Sequence, residues 1–132
     1  MNESQCDIII VVWNQLTATR KCVDAIERST HYPYRLILVD NNSDEYTAEY
    51  LNGLARGRDS VTLIRNSENM GFIKAANQGL RLAASPYVCL MNNDTVATAG
   101  WLGKMVALAE SDTGIGLVNP KSESPGSLSL EE

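Results

Sequence analysis

The sequence predicts a three-layer α/β/α domain built on a mostly parallel sheet. Three observations carry that reading. The runs Asp7–Trp13 and Arg35–Val39 are almost wholly apolar and rich in β-branched residues, as strands buried on both faces are. Between such runs the apolar residues recur at helical spacing, as at Leu16, Cys22, Val23 and Ile26. The two patterns alternate strictly, and strands joined by helical crossovers lie parallel with helices on both faces of the sheet.

Taken in order, DIIIVVW (Asp7–Trp13) is the first strand, ended by Asn14 and Gln15. Leu16–Ser29 is a helix, with Thr17 as a candidate N-cap, and Thr30–Tyr34 is a loop containing Pro33. RLILV (Arg35–Val39) is the second strand and runs into Asp40-Asn41-Asn42-Ser43-Asp44-Glu45. Ser43 or Asp44 caps the next helix, which runs from about Asp44 to Ala55 and exits at Gly53 and Gly57. Acidic Asp44, Glu45 and Glu49 suit the positive end of its dipole. SVTLIR (Ser60–Arg65) is the third strand, and Asn66–Gly71 is a loop. Phe72–Ala84 is a helix, with Ile73, Ala76, Leu80 and Ala83 as its apolar positions. YVCLMNNDT, from Tyr87 to Thr95, starts as a strand and ends polar. Ala97–Glu110 is a helix with Trp101, Met105 and Leu108 on one side, and Ile115–Val118 is a fifth strand. One domain thus occupies residues 1–120, followed by a Ser-, Pro- and Glu-rich tail at 121–132.

The expected strand order is 3-2-1-4, with the switch point between strands 1 and 4. Ligands of open α/β sheets bind at the carboxyl ends of strands beside such a point. The ends that converge there are Trp13-Asn14, Asp40-Asn41-Asn42 and Asn92-Asn93-Asp94. Each by itself reads equally as turn chemistry, because Asn and Asp favour turns. Three polar clusters at three converging ends are harder to explain that way. Asp94 is a hard oxygen ligand of the kind Mg²⁺ or Mn²⁺ takes beside substrate phosphates. Trp13 is either core or a flat wall for a base, and Asp40 either caps a turn or accepts from a ribose hydroxyl or base N–H. The segment Asn69-Met70-Gly71-Phe72 opens a helix whose free N–H groups suit a phosphate.

Composition narrows the function classes. Hydrophobic residues make up 44% and charged residues 20%, a soluble globular balance. The net charge of −5 argues against a nucleic-acid partner, which calls for a basic face. The three cysteines, Cys6, Cys22 and Cys89, are scattered, without zinc spacing or a disulfide framework, which suits a reducing, cytoplasmic compartment. No signal peptide or membrane-spanning run is apparent, so contact with the inner membrane face would be peripheral. GxGxxG, the P-loop and GxSxG are all missing, and the single His31 reads as a surface loop residue. A receiver domain would need an acidic pair where Trp13-Asn14 stand.

Together, IIIVVWN, LILVDNNSDE, RNSENMGFIKAANQGL and YVCLMNNDT, followed by Gly100-Trp101-Leu102, resemble the amino-terminal, nucleotide-sugar-binding part of a family 2 glycosyltransferase of the GT-A fold. The likeness runs from about Asp7 to Pro120, and the NND cluster resembles rhamnosyltransferase-like members. It implies transfer of a sugar from a nucleotide-diphosphate sugar, UDP- or dTDP-linked, to a hydroxyl of a glycan or lipid-linked acceptor. Inversion at the sugar carbon, a divalent metal, and a place in cell-surface polysaccharide or glycan synthesis belong to the same expectation. Carried over residue by residue, Trp13 matches the aromatic near the base, and Asp40 matches the acidic contact to base or ribose. Asn69, Gly71 and Asn77 match the donor-site segment. Asn14, Asn42, Asn92 and Asn93 complete the donor set, and Asp94 takes the last position of the metal-binding DxD, whose first Asp is replaced by Asn92. The family's general base lies well downstream, in the acceptor-binding half. Glu110 and Asp112 read as solvated surface, so a truncated, donor-binding piece is expected. The alternatives are a non-catalytic nucleotide-sugar-binding module, a fragment that dimerises through an exposed core edge, and a sugar nucleotidyltransferase. The last would need a basic Gly-rich loop where Trp13–Thr17 stand.

Overall fold

The β-branched run at the start of the chain becomes the middle of the sheet. In the computed structural model, which describes residues 5–120, the elements are β1 (Cys6–Val12), α1 (Leu16–Ser29), β2 (Tyr34–Asp40), α2 (Glu45–Gly57), β3 (Val61–Arg65), α3 (Phe72–Leu82), β4 (Tyr87–Asn92) and α4 (Trp101–Glu110). The four strands lie in the order β3-β2-β1-β4, and every pairing is parallel. That is the expected order, with its crossover from β3 over to β4. β1 is buried along its whole length because it has a strand on each side and helices on each face.

Alternation along the strands sorts the core into two layers. Ile8, Ile10 and Val12 of β1, with Leu36 and Leu38 of β2, pack beneath α1 (Cys22, Val23, Ile26), α2 (Leu51) and α4 (Leu102, Val106). On the opposite face Val11 and Val39 meet Ala75 and Ala76 of α3. α3 leaves the outer face of β4 open: Val88 and Leu90 of that strand are exposed, as are Ile73 and Leu80 of the helix.

At the foot of the sheet the buried Asp7 closes the turn from α3 to β4. It accepts hydrogen bonds from the Ala84 amide at 2.7 Å and the Ser85 amide at 3.0 Å, and from Arg35 Nε at 3.0 Å. Burial works to raise its pKa, but these donors outweigh it and hold the carboxyl below its ordinary value.

Several expectations are corrected. Ile115–Val118 forms no strand; after α4 the chain runs on without regular structure to Pro120. α4 begins at Trp101 rather than Ala97, because Gly100 takes a left-handed conformation (φ 74°) immediately before it. Its buried side is Leu102 and Val106, whereas Leu108 is exposed. α3 buries Ala75, Ala76 and Gly79; of the expected apolar positions Ala76 is buried but Ile73 and Leu80 are exposed, since only small side chains fit between the helix and the sheet. Thr17 lies inside α1, whose N-cap is Gln15 without a side-chain cap bond. Gly53 lies inside α2, not at its exit. Of the two capping candidates for α2, Asp44 caps, its Oδ1 accepting from the Thr47 amide at 2.9 Å. The tail at 121–132 lies outside the described residues.

Candidate functional site

The carboxyl ends of β1, β2 and β4 are brought side by side by the ladder itself. Val12 pairs with Asp40, and Val11 with Asn92. Trp13-Asn14, Asn41-Asn42 and Asn93-Asp94 therefore follow one another along a single rim.

The first two turns are clasped to each other. Asn14 and Gln15 both adopt left-handed backbone (φ 57° and 65°), as does Asn42 (φ 65°). Asn tolerates that region better than most residues. The Asn14 amide donates to Ser43 Oγ at 2.9 Å, and Asn14 Oδ1 accepts from the Asp44 amide at 2.7 Å. Trp13, just past the end of β1, is left 56% exposed on the rim.

Asp40 is fully buried at the tip of β2. One oxygen accepts from the Ser43 amide at 2.8 Å, and the other forms an ion pair with the Arg65 guanidinium from the tip of β3. Arg65 is 42% exposed while the Asp40 carboxylate is 1% exposed, so Arg65 is what this pair presents to solvent. Asn42 is exposed.

Asn41, which the sequence reading placed in the cluster without a role of its own, is the joint between β2 and the loop before α3. It is 2% exposed. Its Oδ1 accepts from the Met70 amide at 2.8 Å and from Asn66 Nδ2 at 3.2 Å. Its Nδ2 donates to Asn69 Oδ1 at 2.9 Å and to the Gly71 carbonyl at 3.2 Å. Asn66 in turn exchanges two 2.8 Å hydrogen bonds with Gln78 of α3. Strand parity was the available signal: residues 37, 39 and 41 share the face that α3 covers. Asn69 and Gly71 are thus joined to the rim, and Gly71 has the positive φ (81°) that favours glycine. Asn77 is exposed further along α3, six residues past Gly71, and makes no hydrogen bond to this cluster.

The third turn carries Asn92, Asn93 and Asp94. Asn93 Nδ2 donates to the buried Thr19 of α1 at 3.1 Å, tying the turn to that helix. Asn92 and Asp94 are exposed. Among the described residues no three His, Cys, Asp or Glu side chains converge. A Mg²⁺ or Mn²⁺ shared with a diphosphate does not need three, because phosphate oxygens and water complete its shell around one or two carboxylates. The exposed Asp94 fits that demand and could hold such an ion. Glu110 and Asp112 are exposed, as expected. Glu110 accepts from the Tyr87 hydroxyl at 3.1 Å, and Asp112 from the Gly114 amide at 2.8 Å.

Two hollows elsewhere, one between His31 and Gly103 and one along α2 at Tyr50 and Gly53, do not reach these strand ends. No helix among the described residues is long and apolar enough to cross a membrane.

The same fold recurs in known proteins. A mannosyltransferase from Pyrobaculum calidifontis, solved with GDP-Man and Mn²⁺, superposes with a TM-score of 0.76 at 22% identity, over 87% of this chain and 34% of that one. S. aureus TarS (1–349) gives a TM-score of 0.72 at 16% identity, over 89% and 39% respectively. These likenesses establish a GT-A-type fold. Glycosyltransferase AglE of Haloferax volcanii is 28% identical over 119 residues, which are 88% of this chain and 38% of that protein. Hyaluronan synthase of Pasteurella multocida is 28% identical over 86% of this chain and 12% of its own length. The chain therefore spans well under half the length of the relatives it matches. Residues 7–128 match the profile described as Glycosyl transferase family 2, and the chain belongs to that family.

Proposed function

We propose that this chain forms the nucleotide-sugar-binding part of a glycosyltransferase that moves a sugar from a nucleotide-diphosphate donor to an acceptor hydroxyl. The observation that carries the reading is the single rim on which Trp13, Asn14, Asn42, Asn92, Asn93 and Asp94 stand, with Asn69 and Gly71 tied to it through Asn41. Trp13 offers its exposed ring to the base, a contact worth roughly 1–3 kcal/mol for base–aromatic stacking. Asp40 acts on the nucleotide through Arg65, which it holds at the tip of β3. Asn77 lines the donor side of α3. Asp94 holds a Mg²⁺ or Mn²⁺, which when bound stabilises charge on the departing nucleotide diphosphate. The donor is a UDP-, dTDP- or GDP-sugar; GDP joins the set because the mannosyltransferase neighbour binds GDP-Man. The acceptor is a glycan or a lipid-linked sugar, reached from the cytoplasmic side of a membrane, and transfer inverts the sugar carbon. The general base comes from outside residues 5–120. A rhamnosyl donor remains part of this reading through the NND cluster. Family membership sets the nucleotidyltransferase alternative aside.

Calorimetric titration with UDP, dTDP and GDP, each with Mn²⁺ and with chelator, tests the reading. Binding that needs the metal and is lost in Asp94→Ala is the expected result. A folded chain that binds none of the three under any condition overturns it.

A further inference from the structure

The hydrogen bonds around Asn41 decide more than the path of a loop. An asparagine amide has two acceptor and two donor positions. In Asn41 all four are filled: Met70 and Asn66 donate to Oδ1, and Asn69 Oδ1 and the Gly71 carbonyl accept from Nδ2. Asn41 has nothing left for a ligand. Asn69 is different. Its Oδ1 accepts from both Asn41 Nδ2 and the Gly71 amide, each at 2.9 Å, while its Nδ2 has no partner among the described residues. The side chain is exposed on the rim. Turning the Asn69 amide over would set its Nδ2 against two donors, so only one orientation is allowed. What Asn69 turns outward is a donor.

We propose that Asn41 is a positioning residue that locks Asn69 with its Nδ2 facing the donor site, where it donates to an oxygen of the bound nucleotide diphosphate. This rests on the donor-site reading above. The recognised chemistry is an oxygen acceptor, supplied by the phosphates or by the nucleoside.

The sign of one substitution tests it. Asn69→Asp keeps the acceptor that Asn41 Nδ2 and the Gly71 amide use, so the loop and the thermal midpoint are retained, but the outward donor becomes an anion. Binding of UDP, dTDP and GDP with Mn²⁺ is measured for the wild type, Asn69→Asp and Asn69→Ala. Whichever nucleotide the wild type binds should bind at least tenfold more weakly to Asn69→Asp, and more weakly than to Asn69→Ala. Repeating the series with the bare nucleoside separates the two sources. A loss that persists assigns a nucleoside oxygen, and a loss confined to the diphosphate assigns a phosphate oxygen. The role of Asn41 is read by NMR of the Asn69 side-chain amide. In the wild type its Nδ2 hydrogens shift on nucleotide binding. In Asn41→Asp, whose carboxylate puts an acceptor where Nδ2 donated, Asn69 Oδ1 loses its Asn41 partner, the amide is no longer locked and that response is weakened or lost; the dispersion of the backbone amide signals checks that the fold is kept. Asn69→Asp binding as well as or better than the wild type, while Asp94→Ala abolishes binding, overturns the inference and leaves the donor site standing. A wild-type chain that binds no nucleotide overturns both.

Discussion

Gly79 of α3 lies directly over Ile9 of β1: a Cβ at residue 79 would stand 2.6 Å from Ile9 Cγ2. Ile9 is fully buried in the central strand and has nowhere to move. The close approach sets how tightly α3 sits on the sheet, and through the Asn66–Gln78 pair it sets where the rim loop ends. Gly79→Ala should therefore destabilise the chain, although alanine gains about 1 kcal/mol over glycine in a helix interior. Overpacking costs about 1–3 kcal/mol and wins. Urea unfolding measures the net loss, and Gly79→Val should be worse.

Asp7 supports the opposite end of the sheet. Its folded pKa lies below the unfolded value of about 3.9. The stability it contributes is therefore present above that value and is lost as pH falls through the folded pKa. Asn in its place keeps one acceptor but drops the charge that Arg35 and the two amides share. Asp7→Asn should cost about 2–3 kcal/mol at neutral pH, as expected for charge-assisted hydrogen bonds. It should also flatten the acid limb of stability below about pH 5, followed by denaturant titration at each pH.

Among the described residues, Arg65 is the cation that neutralises the Asp40 carboxylate. Removing it leaves a buried charge held by the Ser43 amide alone. Arg65→Ala should destabilise by about 1–3 kcal/mol, below the full figure for a buried pair because the guanidinium is part-exposed. Asp40→Asn combined with Arg65→Ala should recover part of that loss. A double-mutant cycle on thermal or urea unfolding gives the coupling.

The thiols should be inert in the folded chain. Burial raises Cys6 to about 12, helped by neighbouring Cys89 and Asp7, and raises Cys22 and Cys89 to about 11. The thiolate is the reactive form, so a thiol-specific dye at pH 8 should label none of the three quickly in buffer. All three should react promptly in urea.

Much of this was legible in the residues, and the parts that were not have specific causes. Strand order and the converging polar ends followed from β-α alternation, because a parallel sheet with right-handed crossovers leaves few arrangements. The Ile115–Val118 strand was misread because a short apolar run has no period long enough to distinguish a strand from a half-buried extension. α3 was misread for the opposite reason. Its large apolar residues Ile73 and Leu80 dominated the visible stripe, while the contact with the sheet belongs to Ala76 of that stripe and to Ala75 and Gly79, which carry little hydropathy signal. For Asp40, a carboxylate at a strand tip was visible, but its pairing with Arg65 depends on cross-strand register.

What the sequence determined by itself was therefore the architecture and the rim. Apolar periodicity specifies which faces are buried, and Asn and Asp at strand ends mark where the sheet meets solvent. What only the tertiary structure decided was which of those polar groups remain available. Asn41 and Asp40 are used up inside the fold, whereas Asn69, Arg65 and Asp94 are left facing out. Hydrogen-bond partners come from residues 25 to 30 positions away, so their pairing exists only once the strands have taken their register.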